Sequence, residues 1–152
     1  MCEKPNHASI DYIKSYQAAS GDHLKIVKCE LASEDIVNWA REFFKEKQCF
    51  SNALNMSIVD GCDYVLGYIY FECLGIAIEH AWNCDEQAHF DLTAQLFWED
   101  SVSTVYVELL RLGSCDVQEV FDKCNGVDHM ALRLSNEYRH MFNRVSNKIS
   151  KI

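Results

Sequence analysis

Three side chains that can share acyl chemistry stand in order along this chain: Cys49, His80 and Asp91. A carboxylate beside an imidazole fixes its tautomer and stabilises the imidazolium. That pair can then take a proton from a nucleophile and return it to a leaving group. A thiol becomes a strong nucleophile when its pKa falls. At a helix N-terminus beside an imidazolium it drops from about 8.5 into roughly the 3.5–7.5 range.

The pairing of His80 with Asp91 follows from the stretch IEHAWNCDEQAHFDLT, Ile78 to Thr93. A hairpin folded about Asp85-Glu86 puts His80 directly opposite Asp91 and Trp82 opposite His89. Residues directly opposite share a face, as do residues two apart on one strand. One face then carries His80, Trp82, His89 and Asp91, and the other Glu79, Ala81, Phe90 and Leu92. Asp-Glu is not an ideal two-residue turn, so a four-residue loop in the same register fits as well. A one-residue slip would send Asp91 to the far face.

The elements that must hold these residues can be read from periodicity. A short helix near Ile10–Ala19 and a short strand near Leu24–Cys29 open the chain. Ser33 reads as an N-cap, with Glu34 and Asp35 in the first turn where the helix dipole favours negative charge. Ile36, Val37, Ala40, Phe43 and Phe44 recur at helical spacing, giving a helix from about Ala32 to Lys47. A second helix opens at Cys49, carries Phe50, Ala53, Leu54 and Ile58 on one face, and stops at Asp60-Gly61.

The pattern then turns β-branched and aromatic. Cys62–Leu74, Ile76–Cys84, Ala88–Thr93 and Thr104–Leu110 read as strands. Asp116–Cys124 reads as a short helix. Asp128–Ile149 reads as a long one, with Met130, Leu134, Tyr138, Met141 and Val145 at three- to four-residue spacing. Helices, then an antiparallel sheet, then helices make an α+β class in a single domain over residues 1–152.

Bulk properties narrow the function. The 152 residues carry fourteen Lys and Arg against twenty-three Asp and Glu, a net charge of −9, and the basic residues are scattered. Phosphate backbones need clustered cations, so nucleic acid is excluded as the expected partner. No apolar run reaches the ~20 residues of a membrane span, and MCEKPNHASI has no apolar signal core. The expected location is therefore cytoplasmic. There the eight cysteines read mostly as small buried residues rather than disulfides, and no CxxC pair points to zinc or redox chemistry.

Together, Cys49-Phe50-Ser51-Asn52-Ala53, Tyr64-Val65-Leu66-Gly67-Tyr68, Glu79-His80-Ala81-Trp82 and Asp91-Leu92-Thr93 resemble the transglutaminase-like branch of the papain-like cysteine enzymes. The resemblance spans about residues 47–93, under a third of the chain. It implies a papain-like fold, with N-terminal helices packed on a small antiparallel sheet. It also implies Cys49 as nucleophile, His80 as base and Asp91 as orienter. Members include transglutaminases, amide and peptide hydrolases (thiol protease-like enzymes among them), acyltransferases and inactive relatives. Two positions depart from the pattern. Leu92 stands where proline is frequent, and Lys47 stands where a glycine commonly eases the entry to the cysteine helix.

The expected function is a cysteine-dependent hydrolase or acyltransferase acting on an amide or thioester carbonyl, with a peptide, amide or small acyl substrate and no metal or cofactor. Trp82 and His89 are candidates for cleft wall or substrate contact. Gln48 and Asn52 are candidate oxyanion donors, against the plainer reading of solvated amides; Gln17 is a more distant one. Two rivals stay open. His80, His89 and Asp91 with Cys49 could form a four-ligand metal set. The scaffold could also be a non-catalytic binding module, its long C-terminal helix pairing two copies.

Overall fold

The computed structural model describes residues 7–17, 19–99 and 103–142. Its helices are α1 (His7–Tyr16), α2 (Glu34–Phe43), α3 (Cys49–Asp60), α4 (Leu92–Phe97), α5 (Ser114–Cys124) and α6 (His129–Leu134). Its strands are β1 (Lys25–Val27), β2 (Cys29–Glu30), β3 (Asp63–Phe71), β4 (Ile76–Asp85), β5 (Ala88–Phe90) and β6 (Thr104–Leu112). The α+β class stands.

The sheet is mixed rather than antiparallel. Its order is β1-β6-β3-β4-β5-β2, and β2 runs parallel to β5. β1 and β2 are separated only by Lys28, yet they pair with opposite edges, β1 with β6 and β2 with β5. One short segment thus serves both edges and curls the sheet into a small closed layer.

The two sheet faces differ in filling. The inner face holds Val65, Trp82 and Cys84, with Val27, Cys29 and Tyr106 against them. The outer face presents Tyr64, Leu66, Tyr68, Ala81, Val107 and Leu109 to Ile13 of α1, Ala53 of α3, Val117 of α5 and Leu132 of α6. A second core joins Val37, Ala40 and Phe44 to Met56, Phe90 and Leu92, which ties α2, α3 and the β5–α4 junction together. Fully burying one such aliphatic or aromatic side chain is worth about 1.5–3 kcal/mol. These contacts hold the elements more firmly than any single polar bond.

Gly67 is where the strands come closest. A Cβ there would lie 2.1 Å from the Val107 carbonyl oxygen and 2.7 Å from Trp82 Cη2. The β3–β6 register shifts at this point, between Leu66 and Gly67. Only glycine admits both the bulge and the Trp82 ring.

Several expected boundaries move. α1 ends at Tyr16, short of Ala19, which instead bridges to Phe142. α2 stops at Phe43, so Lys45 and Lys47 fall in the loop beyond it. The expected strand Ala88–Thr93 breaks after Phe90. Asp91 caps a helix there, its carboxylate accepting from the Ala94 amide at 3.1 Å. The expected long C-terminal helix ends at Leu134. The Ser135 hydroxyl donates to the Leu132 carbonyl at 2.7 Å, and the backbone leaves helical geometry. A 3-10 turn, Arg139–Met141, follows, and Met141 and Phe142 are buried in the core. Residues 129–142 therefore present no continuous apolar helix face for a second copy, and Val145 lies outside the described residues.

Candidate active site

α3 brings Cys49 to the site as its first residue. Its first intrahelical bond runs from the Asn52 amide to the Gln48 carbonyl, 2.9 Å. The N–H groups of Cys49, Phe50 and Ser51 therefore lie ahead of the ladder, where a helix offers donors and partial positive charge. The first turn holds no acid that would compete for that field. The approach to the helix is strained: Lys47 takes φ 65°, the left-handed region. The glycine expected by the resemblance is absent, and the backbone conformation it would supply is adopted regardless.

Asn52 fixes that approach. Its side-chain oxygen accepts from the Lys45 amide at 3.1 Å, and its nitrogen donates to the Lys45 carbonyl at 2.8 Å and the Thr93 hydroxyl at 3.1 Å. Asn52 is only 3 % exposed. It is neither a solvated amide nor an oxyanion donor; it clamps the loop that delivers Cys49. Gln48 is exposed and its side chain makes no capping bond, so it stays beside the thiol without a bonded role. The Gln17 amide donates to the Ala77 carbonyl at 3.0 Å and is thereby engaged there. Asn83 holds α3 from the sheet side, donating to the Ala53 carbonyl at 2.9 Å.

β4 and the β5–α4 junction supply the other two groups. His80 Nε2 lies 2.8 Å from Asp91 Oδ2, with both residues buried. The hairpin reaches this contact by a different pairing from the one expected. Asn83 opposes Phe90, Cys84 opposes His89 and Asp85 opposes Ala88, so the turn is Glu86-Gln87. Moving the turn by one residue shifts each pair by two, which preserves the faces. His80 and Asp91 meet diagonally instead of directly. Asp91 reaches the ring because the chain leaves the strand there.

With Nε2 given to Asp91, Nδ1 is the ring nitrogen left for the thiol. Cys49 lies near enough to the His80 ring to help raise its pKa. Burial pushes the His80 pKa down. The Asp91 charge and hydrogen bond, helped by Cys49, outweigh it and raise the value to about 9. The site therefore favours an imidazolium at neutral pH, which is the partner a thiolate needs.

Two residues that the sequence did not single out complete the arrangement. The Tyr106 hydroxyl donates to Asp91 Oδ2 at 2.7 Å. Trp98 places its ring 5.1 Å from the His80 ring. Trp82 also stacks on that ring, 6.3 Å away and 23° from parallel. Trp82 and Trp98 thus screen the ion pair from water, which strengthens it. Nothing in the strand pattern TVYVELL marks Tyr106; the curl of the sheet brings its hydroxyl to Asp91.

His89 is engaged by Trp82. Its Nδ1 accepts from the Trp82 indole N–H at 3.0 Å, and it is 7 % exposed on the inner face. With Nδ1 engaged by Trp82, the ligand set built on His89 fails. Among the described residues no group of three or more His, Cys, Asp or Glu side chains is disposed to hold a metal ion.

A cleft of about 490 Å³ opens beside the Asp91 end of the pair, with Asp91, Tyr106, Trp98, Phe71, Glu30 and Glu99 in its wall. Cys49 and His80 do not line it. None of the described helices is long and apolar enough to cross a membrane. Comparison with protein-family models, curated proteins and solved structures finds no match to this chain.

Proposed function

We propose that the protein is a cysteine-dependent hydrolase or acyltransferase of the papain-like, transglutaminase-like kind, acting on an amide or thioester carbonyl. The single observation that carries this reading is the buried His80–Asp91 contact at 2.8 Å, beside Cys49 at the start of α3, which helps raise the His80 pKa. That order of thiol, imidazole and carboxylate is the nucleophile–base–orienter arrangement.

The steps balance as follows. The Cys49 proton passes to His80 Nδ1. The thiolate sulfur bonds to the carbonyl carbon, and the C=O π pair moves to oxygen. Helix-start N–H groups at Cys49 and Phe50 receive that oxyanion. Collapse re-forms C=O and breaks the bond to the leaving nitrogen or sulfur, which takes the proton from His80. Water, or a second nucleophile, then gives its proton to His80 and attacks the thioester carbon. Acid or transferred acyl product leaves, and the thiolate remains. Asp91 holds the ring through both halves without taking a proton.

Incubation with a p-nitrophenyl ester, followed by peptide mass mapping, tests this. The reading expects one acyl group on Cys49, turned over with release of p-nitrophenol, and no acyl-enzyme in Cys49→Ala. Acylation confined to other residues, or unchanged by Cys49→Ala, overturns it.

A further inference from the structure

His89 lies on the inner face of the curled sheet and is built into the surroundings of His80. Its Nδ1 accepts from Trp82 Nε1 at 3.0 Å, so Nδ1 carries no proton. The ring proton is then on Nε2, which faces Glu108 Oε1 at 3.7 Å. At its other end the Trp82 indole presses against the backbone at Gly67, the residue opposite His80 in the β3–β4 pairing. Between those ends the indole stacks on the His80 ring. A large buried side chain is thus fixed at one end by shape and at the other by one hydrogen bond. The face it presents is a wall of the His80–Asp91 pair.

We propose that His89 is a positioning residue for this site. Neutral His89 holds the Trp82 indole against His80, and a proton on His89 Nδ1 releases it. An imidazolium has no acceptor left, so its N–H would face the indole N–H. This inference rests on the reading of Cys49, His80 and Asp91 given above and adds a residue that touches none of the reacting atoms.

The charges around His89 favour its neutral form. Facing it are Trp82 and Cys84 from β4, Cys29 from β2, Glu108 and Arg111 from β6 and Lys25 from β1. Burial lowers its pKa first, and Arg111 and Lys25 lower it further. Glu108 lies within ion-pair distance at 3.7 Å but does not reverse this; burial raises its own pKa against the pull of Lys25 and Arg111. The wild-type latch is therefore closed at neutral pH and opens on acidification below the ordinary imidazole value.

The test combines a spectroscopic and a kinetic readout on the full chain. Protein labelled with 15N at tryptophan gives an indole signal for Trp82, assigned by its loss in Trp82→Phe. In wild type that signal moves on acidification below about pH 6.5. In His89→Gln, which keeps an acceptor but does not titrate, it stays still. Cys49 alkylation by iodoacetamide falls on the order of tenfold in His89→Ala through misplacement of the ring. His89→Gln restores it, and its rate at about pH 5 relative to about pH 7 exceeds the wild-type ratio.

An alkylation rate indifferent to both substitutions overturns the positioning role, as does a Trp82 signal that titrates alike in wild type and His89→Gln. If His89→Ala does not fold, wild type and His89→Gln decide the matter through these same readouts. A Trp82 signal that follows His89 in a protein whose Cys49 is not the fast thiol overturns the enzyme reading, and the positioning role falls with it. A fast Cys49 whose rate ignores His89 overturns the positioning role alone.

Discussion

The Asn52 amide donates to the Thr93 hydroxyl at 3.1 Å, joining the helix that carries the thiol to the turn that carries the acid. Asp91 and Thr93 sit two apart at the head of α4 and divide the labour. Asp91 serves His80, and Thr93 serves the clamp that delivers Cys49. Asn52→Ala would leave the Lys45 N–H and C=O without this partner. It should cost about 2–4 kcal/mol in urea denaturation. Asn52→Asp should rank between wild type and alanine, since its carboxylate can still accept from the Lys45 amide but offers no donor.

Tyr106→Phe removes one of the donors to Asp91 Oδ2 and leaves His80 as the other. Stability should fall by about 1.5–3 kcal/mol, the range for a hydrogen bond to a charged group. Cys49 should still alkylate faster than the other thiols. A drop in alkylation as deep as that of Asp91→Ala would mean that Tyr106, not Asp91, governs the ring.

Gly67→Ala should fail to give folded protein at all. The added Cβ would meet the Val107 backbone oxygen and the Trp82 ring at once. Neither can yield, because both belong to the closed sheet. Circular dichroism and solubility would report the failure; a stable, folded Gly67→Ala would contradict the close approach described for β3, β4 and β6.

Lys47→Gly tests the strained entry to α3. Lys47 sits at φ 65°, a conformation that costs a residue with a Cβ roughly 1–2 kcal/mol. Glycine removes that cost but gives back part of it as unfolded-chain entropy. The net expectation is a gain of about 0.5–1 kcal/mol in denaturation, with Cys49 reactivity kept.

The His80–Asp91 pair gives stability a definite pH dependence. Burial works against the His80 charge, but Asp91 and Cys49 raise its pKa from 6.5 to about 9. A base whose pKa is higher folded than unfolded stabilises fully below the unfolded value and loses that contribution as pH rises through the folded one. Wild type should therefore lose stability between about pH 6.5 and about 9, and Asp91→Asn should lose much less over that interval. Urea midpoints measured across the interval for both proteins check the difference.

The sequence shows much of this arrangement and misses a specific remainder. Cys49 as a helix start, Gly61 as its end and the β3–β4 strands are legible because periodicity and turn residues act locally. The shared face of His80 and Asp91 is legible because strand alternation survives a two-number shift in pairing. α4 is hidden because Asp91-Leu92-Thr93 fits an alternating strand as readily as a six-residue helix, and the Asp91 cap decides between them. The contact of Tyr106 with Asp91 depends on the curl of the sheet through β1 and β2, which no local pattern records. The long C-terminal helix fails because Ser135 satisfies the last turn and lets the chain fold Met141 into the core.

The central claim, that Cys49 is an activated thiol paired with His80, is tested most directly by competition among the eight cysteines. Substoichiometric iodoacetamide at about pH 6, where an ordinary thiol is almost wholly protonated, should mark Cys49 first by peptide mass mapping. His80→Ala should erase that preference. Preferential labelling of any other cysteine, or of Cys49 with undiminished speed in His80→Ala, would contradict the account.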